Sequence, residues 1–269
     1  MVKKLKTENL KLKTRTSTSW GGVALWYDKH LEENEDTYHT KVVFPNLLRL
    51  IGDIKSKKVL DLACGQGVFS RILKNEKADV TGVDIAKELI EIAEKKNREQ
   101  HISIHYFVTP SDDLFMIKDK TQEVVVCILA IQNIEKLQET FKEVSRVLKP
   151  EGKFFFVLNH PAFRNPRASA WQYDEDQRVQ YRRMDAYLSE SKIKIDMTPG
   201  NKKDKKFTVS FHRPLQVYMK ALNKNSFAIT RLEEWQSHKE SENGPRKNAE
   251  NKARKEIPLF LAIEAKLLT

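Results

Sequence analysis

Apolar positions along this chain fall into short runs and one-sided stripes that alternate for most of its length. Val43, Leu47, Leu50 and Ile51 share one face of a helix predicted over residues 42–51. Val59, Leu60 and Leu62 then form a run suited to a strand buried on both faces, and a second such run covers 81–85. Residues 87–96 read as a helix, and Ile102, Ile104, Tyr106 and Val108 alternate as a third strand. A fourth strand is predicted over 123–129, followed by a helix with Leu137, Phe141, Val144 and Leu148 on one face. KPEGKFFFVLN supplies a helix stop, a turn and a fifth strand. The regular alternation then breaks between Pro161 and His212, where 193–197 and 207–211 alternate like two strands around the turn TPGNKKDKK. A helix burying Leu215, Tyr218, Met219 and Leu222, a sixth strand, and a last strand over 257–265 complete the pattern. Strands alternating with helices predict an α/β domain.

The chemistry concentrates in KVLDLACGQGVFSR (58–71) and TGVDI (81–85), a strand, glycine turn, helix and second strand ending in an acid. Three of the nine glycines, Gly65, Gly67 and Gly82, fall around this one place, where a side chain would obstruct a bound ligand. Asp84 ends the second strand, where a carboxylate can accept hydrogen bonds from both hydroxyls of a ribose. On that reading Asp84→Ala weakens ligand binding and leaves the fold largely intact. A dinucleotide fingerprint would carry a third glycine, but Ser70 stands there. Asp61, near the end of the first strand, places a further carboxylate toward the crevice, which opposes a pyrophosphate and suits a cation. A ribose, an α-amino group and a sulfonium occur together in S-adenosylmethionine.

DLACGQG and GVDIA closely resemble the first two motifs of the class I S-adenosylmethionine-dependent methyltransferases, the first of which reads near V-L-D-x-x-C-G-x-G. The resemblance runs from about Pro45 to the C-terminus and is weakest over 161–210. Within the family the chain looks most like the small-molecule branch that includes quinone-biosynthesis methyltransferases. It implies a Rossmann-like, seven-stranded sheet with helices on both faces and an inserted cap between the fifth strand and the following helix. It also implies that Asp61, Ala63, Cys64, Gly65, Gly67, Asp84, Ile85, Ser111, Asp112 and Ala130 line the cofactor site. At 110–112 the chain departs from the family pattern, because Pro110 takes the place of the usual acid. Asp112 either substitutes for it or caps a short helix at Leu114. The segment after the fourth strand, Ala130 to Asn133, lacks the N-P-P-Y signature of adenine and glutamine N-methyltransferases and the Pro-Cys nucleophile of cytosine C5 enzymes, which argues against those acceptors.

Composition fits one domain. With 269 residues, 40% of them hydrophobic, the chain can bury a large core, and residues 17–269 read as a single methyltransferase domain behind a basic, flexible tail over 1–16. Two cysteines, Cys64 and Cys127, neither supply a disulfide framework nor a metal-ligand spacing, so no metal is expected. The N-terminus lacks an apolar stretch of signal-peptide length, and no run approaches a membrane span, which predicts a cytoplasmic protein. The net charge of +11 lies largely in the tail and in Lys202 to Lys206, a distribution that suits solvated segments better than a nucleic-acid groove. An RNA or protein acceptor, or a catalytically inactive interaction protein that binds the cofactor, remain the alternatives to a small-molecule methyl acceptor. Oligomeric state is open.

Trp20, Trp26, Tyr27 and Tyr38 mark 17–41 as a lid, from which Tyr27 or Tyr38 could meet a sulfonium or simply dock the segment on the core. The 161–211 insertion is rich in aromatics and arginine and reads as a substrate cap or an oligomer contact, with Arg182 or Arg183 available to an acidic substrate. His160, after the fifth strand, and His212 are the candidate bases for an acceptor that must lose a proton, alongside Tyr27.

Overall fold

The computed structural model describes residues 20–32, 36–198 and 205–269. Its center is a seven-stranded sheet whose parallel part comprises β1 (Lys58–Leu62), β2 (Asp79–Asp84), β3 (His105–Val108), β4 (Gln122–Ile128) and β5 (Leu148–Asn159). β10 (Phe227–Trp235) and β11 (Phe260–Leu267) complete it, in the order β10-β11-β5-β4-β1-β2-β3. β11 runs antiparallel to both its neighbours. The strand order reverses beside β1, between β2 and β4, and opens a crevice at the C-terminal ends of these strands, where open α/β sheets take ligands.

Alternation along the buried strands divides the core between the two faces. Val59, Val124, Val126, Phe155 and Val157 join the cluster under α2 (Phe44–Ile51), α3 (Val68–Asn75) and α4 (Lys87–Glu99). Leu60, Leu62, Val125, Phe154 and Phe156 join the opposite cluster under α5 (Leu137–Val147) and α6 (Leu215–Lys224). Phe141, Phe154 and Phe156 are fully buried there, each worth about 2 kcal/mol of transfer free energy. α1 (Ala24–Glu32) and α7 (Lys247–Glu256) complete the helices among the described residues.

The third strand is shorter than the alternation predicts. Ile102 closes α4 by donating its N–H to the Asn97 carbonyl, and β-pairing begins at His105 opposite Thr81. The last strand starts at Phe260 rather than Ile257, because Ile257 ends α7 by bonding to the Ala253 carbonyl. In the insertion, β8 (Ser191–Asp196) pairs antiparallel with β9 (Phe207–His212), as the alternation predicts. A second hairpin, β6 (Ser169–Asp174) with β7 (Val179–Met184), was not legible. Every residue of β6 is half-buried, so it carries no apolar-polar alternation to read.

Candidate functional site

The loops leaving β1, β2 and β4 surround a cavity at the switch point. Its walls include Asp61, Ala63, Cys64, Gly65, Asp84, Ile85 and Ala130, seven of the ten residues expected there. Ser111 and Asp112 lie on an adjoining cavity that shares Ala63, Asp84 and Ile85 with the first. Gly67 lies on neither.

Backbone conformation shows why the loops look as they do. Gly65 (φ 56°) takes a left-handed turn, and a β-carbon on it would point into open space, as a residue beside a ligand cradle should. Ala63 (φ 57°) and Leu129 (φ 50°) hold the same left-handed region without being glycine, at about 1–2 kcal/mol each. Both line the cavity. Gly67 and Gly82 serve a different purpose. A β-carbon on Gly67 would fall 2.2 Å from the Tyr106 hydroxyl, and one on Gly82 would fall 2.5 Å from the Tyr106 ring. These two glycines seat a tyrosine against the turn rather than admit a ligand.

Two buried acids dominate the electrostatics. Asp84 accepts the N–H of Gly65 (2.9 Å) and the N–H of Ala86 (2.8 Å), so it ties the glycine turn to the end of β2. Burial raises its pKa against the pull of those amides. Asp61 accepts a 2.5 Å hydrogen bond from the Ser70 hydroxyl, which explains a serine in the place of a third glycine. Burial, with the Asp84 charge adding to it, pushes Asp61 up to about 7. Burial first, then the charges of both carboxylates, hold the Cys64 thiol protonated far above its ordinary range.

The shift at Asp61 has a testable sign. Between the ordinary carboxylate value and about 7, the folded chain holds a proton that the unfolded chain has released, so Asp61 makes stability fall as pH rises through that window. Asp61→Asn is therefore expected to raise the ligand-free Tm by a few degrees at pH 8, and the gain should disappear below about pH 4. Thermal melts of both proteins across pH would show it. An equal difference at every pH would contradict the burial argument.

The expected catalytic residues fare differently. His160 is buried, with Nδ1 accepting the Ala162 N–H (3.2 Å) and Nε2 2.7 Å from Glu234. Both ring nitrogens are committed, and burial lowers its pKa despite Glu234. His212 directs Nε2 to the Tyr187 carbonyl at 2.8 Å, which can only accept. Neither histidine lines the cavity, so both are corrected to structural roles. Tyr27 belongs to α1, and its side chain lies outside the described residues. Tyr38 docks on the core, its hydroxyl 3.2 Å from the Ser237 hydroxyl and its ring edge-on to Phe260. Asp112 pairs with Lys136 (2.7 Å), and the Leu114 N–H goes to Glu143 (2.8 Å).

His39 and Trp20 were missed as site residues. His39 stands at the start of a π-helical turn (His39–Val43), lines the cavity beside Phe44, and has its ring 5.6 Å from that of Phe44. Trp20 borders both cavities. Trp20 and His39 both fall in the segment read as a lid, but its aromatic pattern singled out tyrosines and tryptophans, and most of the cavity neighbours of His39 come from the distant β1, β2 and β4 loops. Lys192, Val209 and Phe211 of the β8–β9 hairpin close the adjoining cavity.

Residues 60–156 match the family model described as a methyltransferase domain. A structure of an S-adenosylmethionine-dependent methyltransferase from Mesorhizobium loti superposes with a TM-score of 0.68 at 23% identity, covering 86% of this chain and 99% of that one. The sheet and its flanking helices have the class I methyltransferase fold. A ubiquinone biosynthesis O-methyltransferase of Coxiella burnetii is 33% identical over 104 residues, 38% of this chain and 44% of its own length. A glycopeptide N-methyltransferase complexed with S-adenosylmethionine shares the methyltransferase fold at a TM-score of 0.57 and 15% identity, covering 84% of this chain and 92% of that one. This chain spans about half the length of the curated relatives it matches. Among the described residues, no helix is long and apolar enough to cross a membrane.

Proposed function

We propose that this chain binds S-adenosylmethionine in the Asp61–Asp84 cavity and transfers its methyl group to a small-molecule acceptor. One observation carries the reading. Two buried carboxylates face a cavity at the switch point, with no lysine or arginine among its described lining residues. Such a lining repels a pyrophosphate and suits a nucleoside bearing cationic groups. Asp84 spends one acceptor position of each oxygen on an amide and keeps others for ribose hydroxyls. Asp61 would meet the ammonium of the amino-acid end, and the open side of Gly65 leaves room for the ligand. Cys64, Ile85 and Ala130 complete the walls, and Ser111 and Asp112 the neighbouring base pocket. The family relation to ubiquinone biosynthesis O-methyltransferases supports a small acceptor.

The bound cofactor supplies an electrophilic methyl group. The chain's own residues need to hold the acceptor in line and keep water away. Val68, Phe69, Leu129 and Ile134 give the cavity apolar walls. His39 replaces His160 and His212 as the residue positioned to take a proton from an acceptor hydroxyl or amine. We assign the described residues of 17–41 as the lid and the β8–β9 part of 161–211 as the cap, a reading supported by Trp20, Lys192 and Phe211 on the cavity walls.

Calorimetric titration tests the cofactor assignment: saturable binding of S-adenosylmethionine and S-adenosylhomocysteine with no NAD binding is expected. Preference for NAD would overturn it. Once an acceptor is in hand, His39→Ala should lower kcat by about 10²-fold or more while S-adenosylhomocysteine affinity stays within a few fold. An unchanged kcat would remove His39 from proton transfer.

A further inference from the structure

A second, smaller cavity lies on the same C-terminal edge of the sheet, above β5 and the start of β11. Arg164, Arg182 and Arg254 converge on it, together with Tyr38, Phe163 and Trp171. Arg182 is held in place: its Nε donates to the Phe163 carbonyl (2.8 Å), its Nη2 to the Ser169 hydroxyl (2.7 Å), and its guanidinium lies over the Trp171 ring at 5.2 Å. Arg254 donates Nε to the Ser241 hydroxyl (3.3 Å). Among the described residues, no carboxylate forms an ion pair with any of the three, whereas Arg49 pairs with Glu233, Arg146 with Glu143 and Arg183 with Asp185. Three guanidiniums gathered without an acid repel one another. Arg254 opposes the charge on Arg164, and Arg164 opposes the charge on Arg182, on top of the larger cost of burial at both. An arrangement of this kind is stabilised when an anion enters it, since planar guanidiniums match carboxylate and phosphate oxygens two at a time.

The place of the cluster suggests whose anion it receives. Tyr38 lines the arginine cavity, and the next residue, His39, lines the cofactor cavity, so one segment forms a wall of each. The arginines thus lie on the β5 and β11 side of the crevice, away from Asp84 at the end of β2. We propose that Arg164, Arg182 and Arg254 bind the carboxylate or phosphate group of an acidic methyl acceptor. This inference rests on the methyltransferase reading above. The three side chains come from the loop after β5, from β7 and from α7, so the insertion supplies two of the three and would carry substrate selectivity.

The test uses the full chain saturated with S-adenosylhomocysteine and titrated with inorganic phosphate and, separately, with benzoate at constant ionic strength. Saturable binding of at least one probe is expected, weakened about tenfold or more in Arg164→Gln and in Arg254→Gln. The tighter probe identifies the group as phosphate or carboxylate. S-adenosylhomocysteine affinity should be unchanged in both variants, and Arg254→Gln, at a surface helix, guards against misfolding of Arg164→Gln. Absence of binding by either probe, or wild-type affinity in a folded variant, would overturn the site. Acceptor activity in a cell extract, followed with methyl-labelled cofactor, should be retained on an anion-exchange resin; recovery in the flow-through would overturn the assignment to the acceptor. Failure of the wild type to bind S-adenosylhomocysteine would instead strike the methyltransferase reading, and the anion titration in its absence still reports on the arginines.

Discussion

Asp84→Ala is expected to weaken S-adenosylhomocysteine binding by about a hundredfold or more, the largest effect of any single substitution in the cofactor cavity. Hydrogen bonds from hydroxyls to a charged carboxylate contribute about 1.5–3 kcal/mol each, and two are lost together. The structure adds a second consequence. Asp84 also accepts the N–H groups of Gly65 and Ala86, and alanine leaves both amides without that partner in a buried place. Each orphaned donor costs about 1–3 kcal/mol, so the variant should melt well below the wild type. The expectation from the sequence, that the fold would be left largely intact, is corrected accordingly. Titration at low temperature, with circular dichroism confirming a folded protein, separates the two effects. Near-wild-type affinity in folded Asp84→Ala would refute the ribose assignment.

Gly82→Val should be the most destabilising change in the central sheet, about 3 kcal/mol or more. Gly82 pairs with Tyr106 across β2 and β3, and the tyrosine ring lies over the place a side chain would take. The β-carbon alone would come within 2.5 Å of two ring carbons and 3.0 Å of the Cys64 sulfur. Tyr106 is buried, so the ring has little room to retreat. Gly22→Ala is the matched control, because nothing lies within 4 Å of a β-carbon there, and it should change stability by no more than about 0.5 kcal/mol. Urea unfolding of the two variants beside the wild type measures the contrast, and equal midpoints would show that the ring does move aside.

These two substitutions mark where sequence reading reached and where it stopped. The acid at the end of β2 was legible because strand, turn and acid are neighbours in sequence and share one local geometry. Its double duty was not, since the Gly65 amide reaches it only after β1 and β2 pair. The glycines were legible as a cluster, but Gly67 and Gly82 were assigned to the ligand when they belong to Tyr106, a residue on another strand. Ser70 was noticed as a missing glycine, and its hydrogen bond to Asp61 became visible only across the β1–α3 turn. The histidines show the same limit. His160 and His212 stand beside strand ends in sequence, yet each ring is turned into a protein hydrogen bond, while His39 reaches the cavity from a segment whose aromatic residues, and not this histidine, drew the lid reading.

By itself the sequence determined the α/β class, the parallel strands, and the chemical character of the first cavity. Burial on both faces of a parallel strand leaves apolar runs, and the glycine turn and its two acids lie within 24 residues of one another, Asp61 to Asp84. Tertiary structure alone decided which histidine faces the crevice, why three glycines are needed, and how Arg164, Arg182 and Arg254, spread over 91 positions, come to line one cavity. Those outcomes depend on contacts between distant segments and on the direction of each side chain, and neither leaves a period or a spacing along the chain.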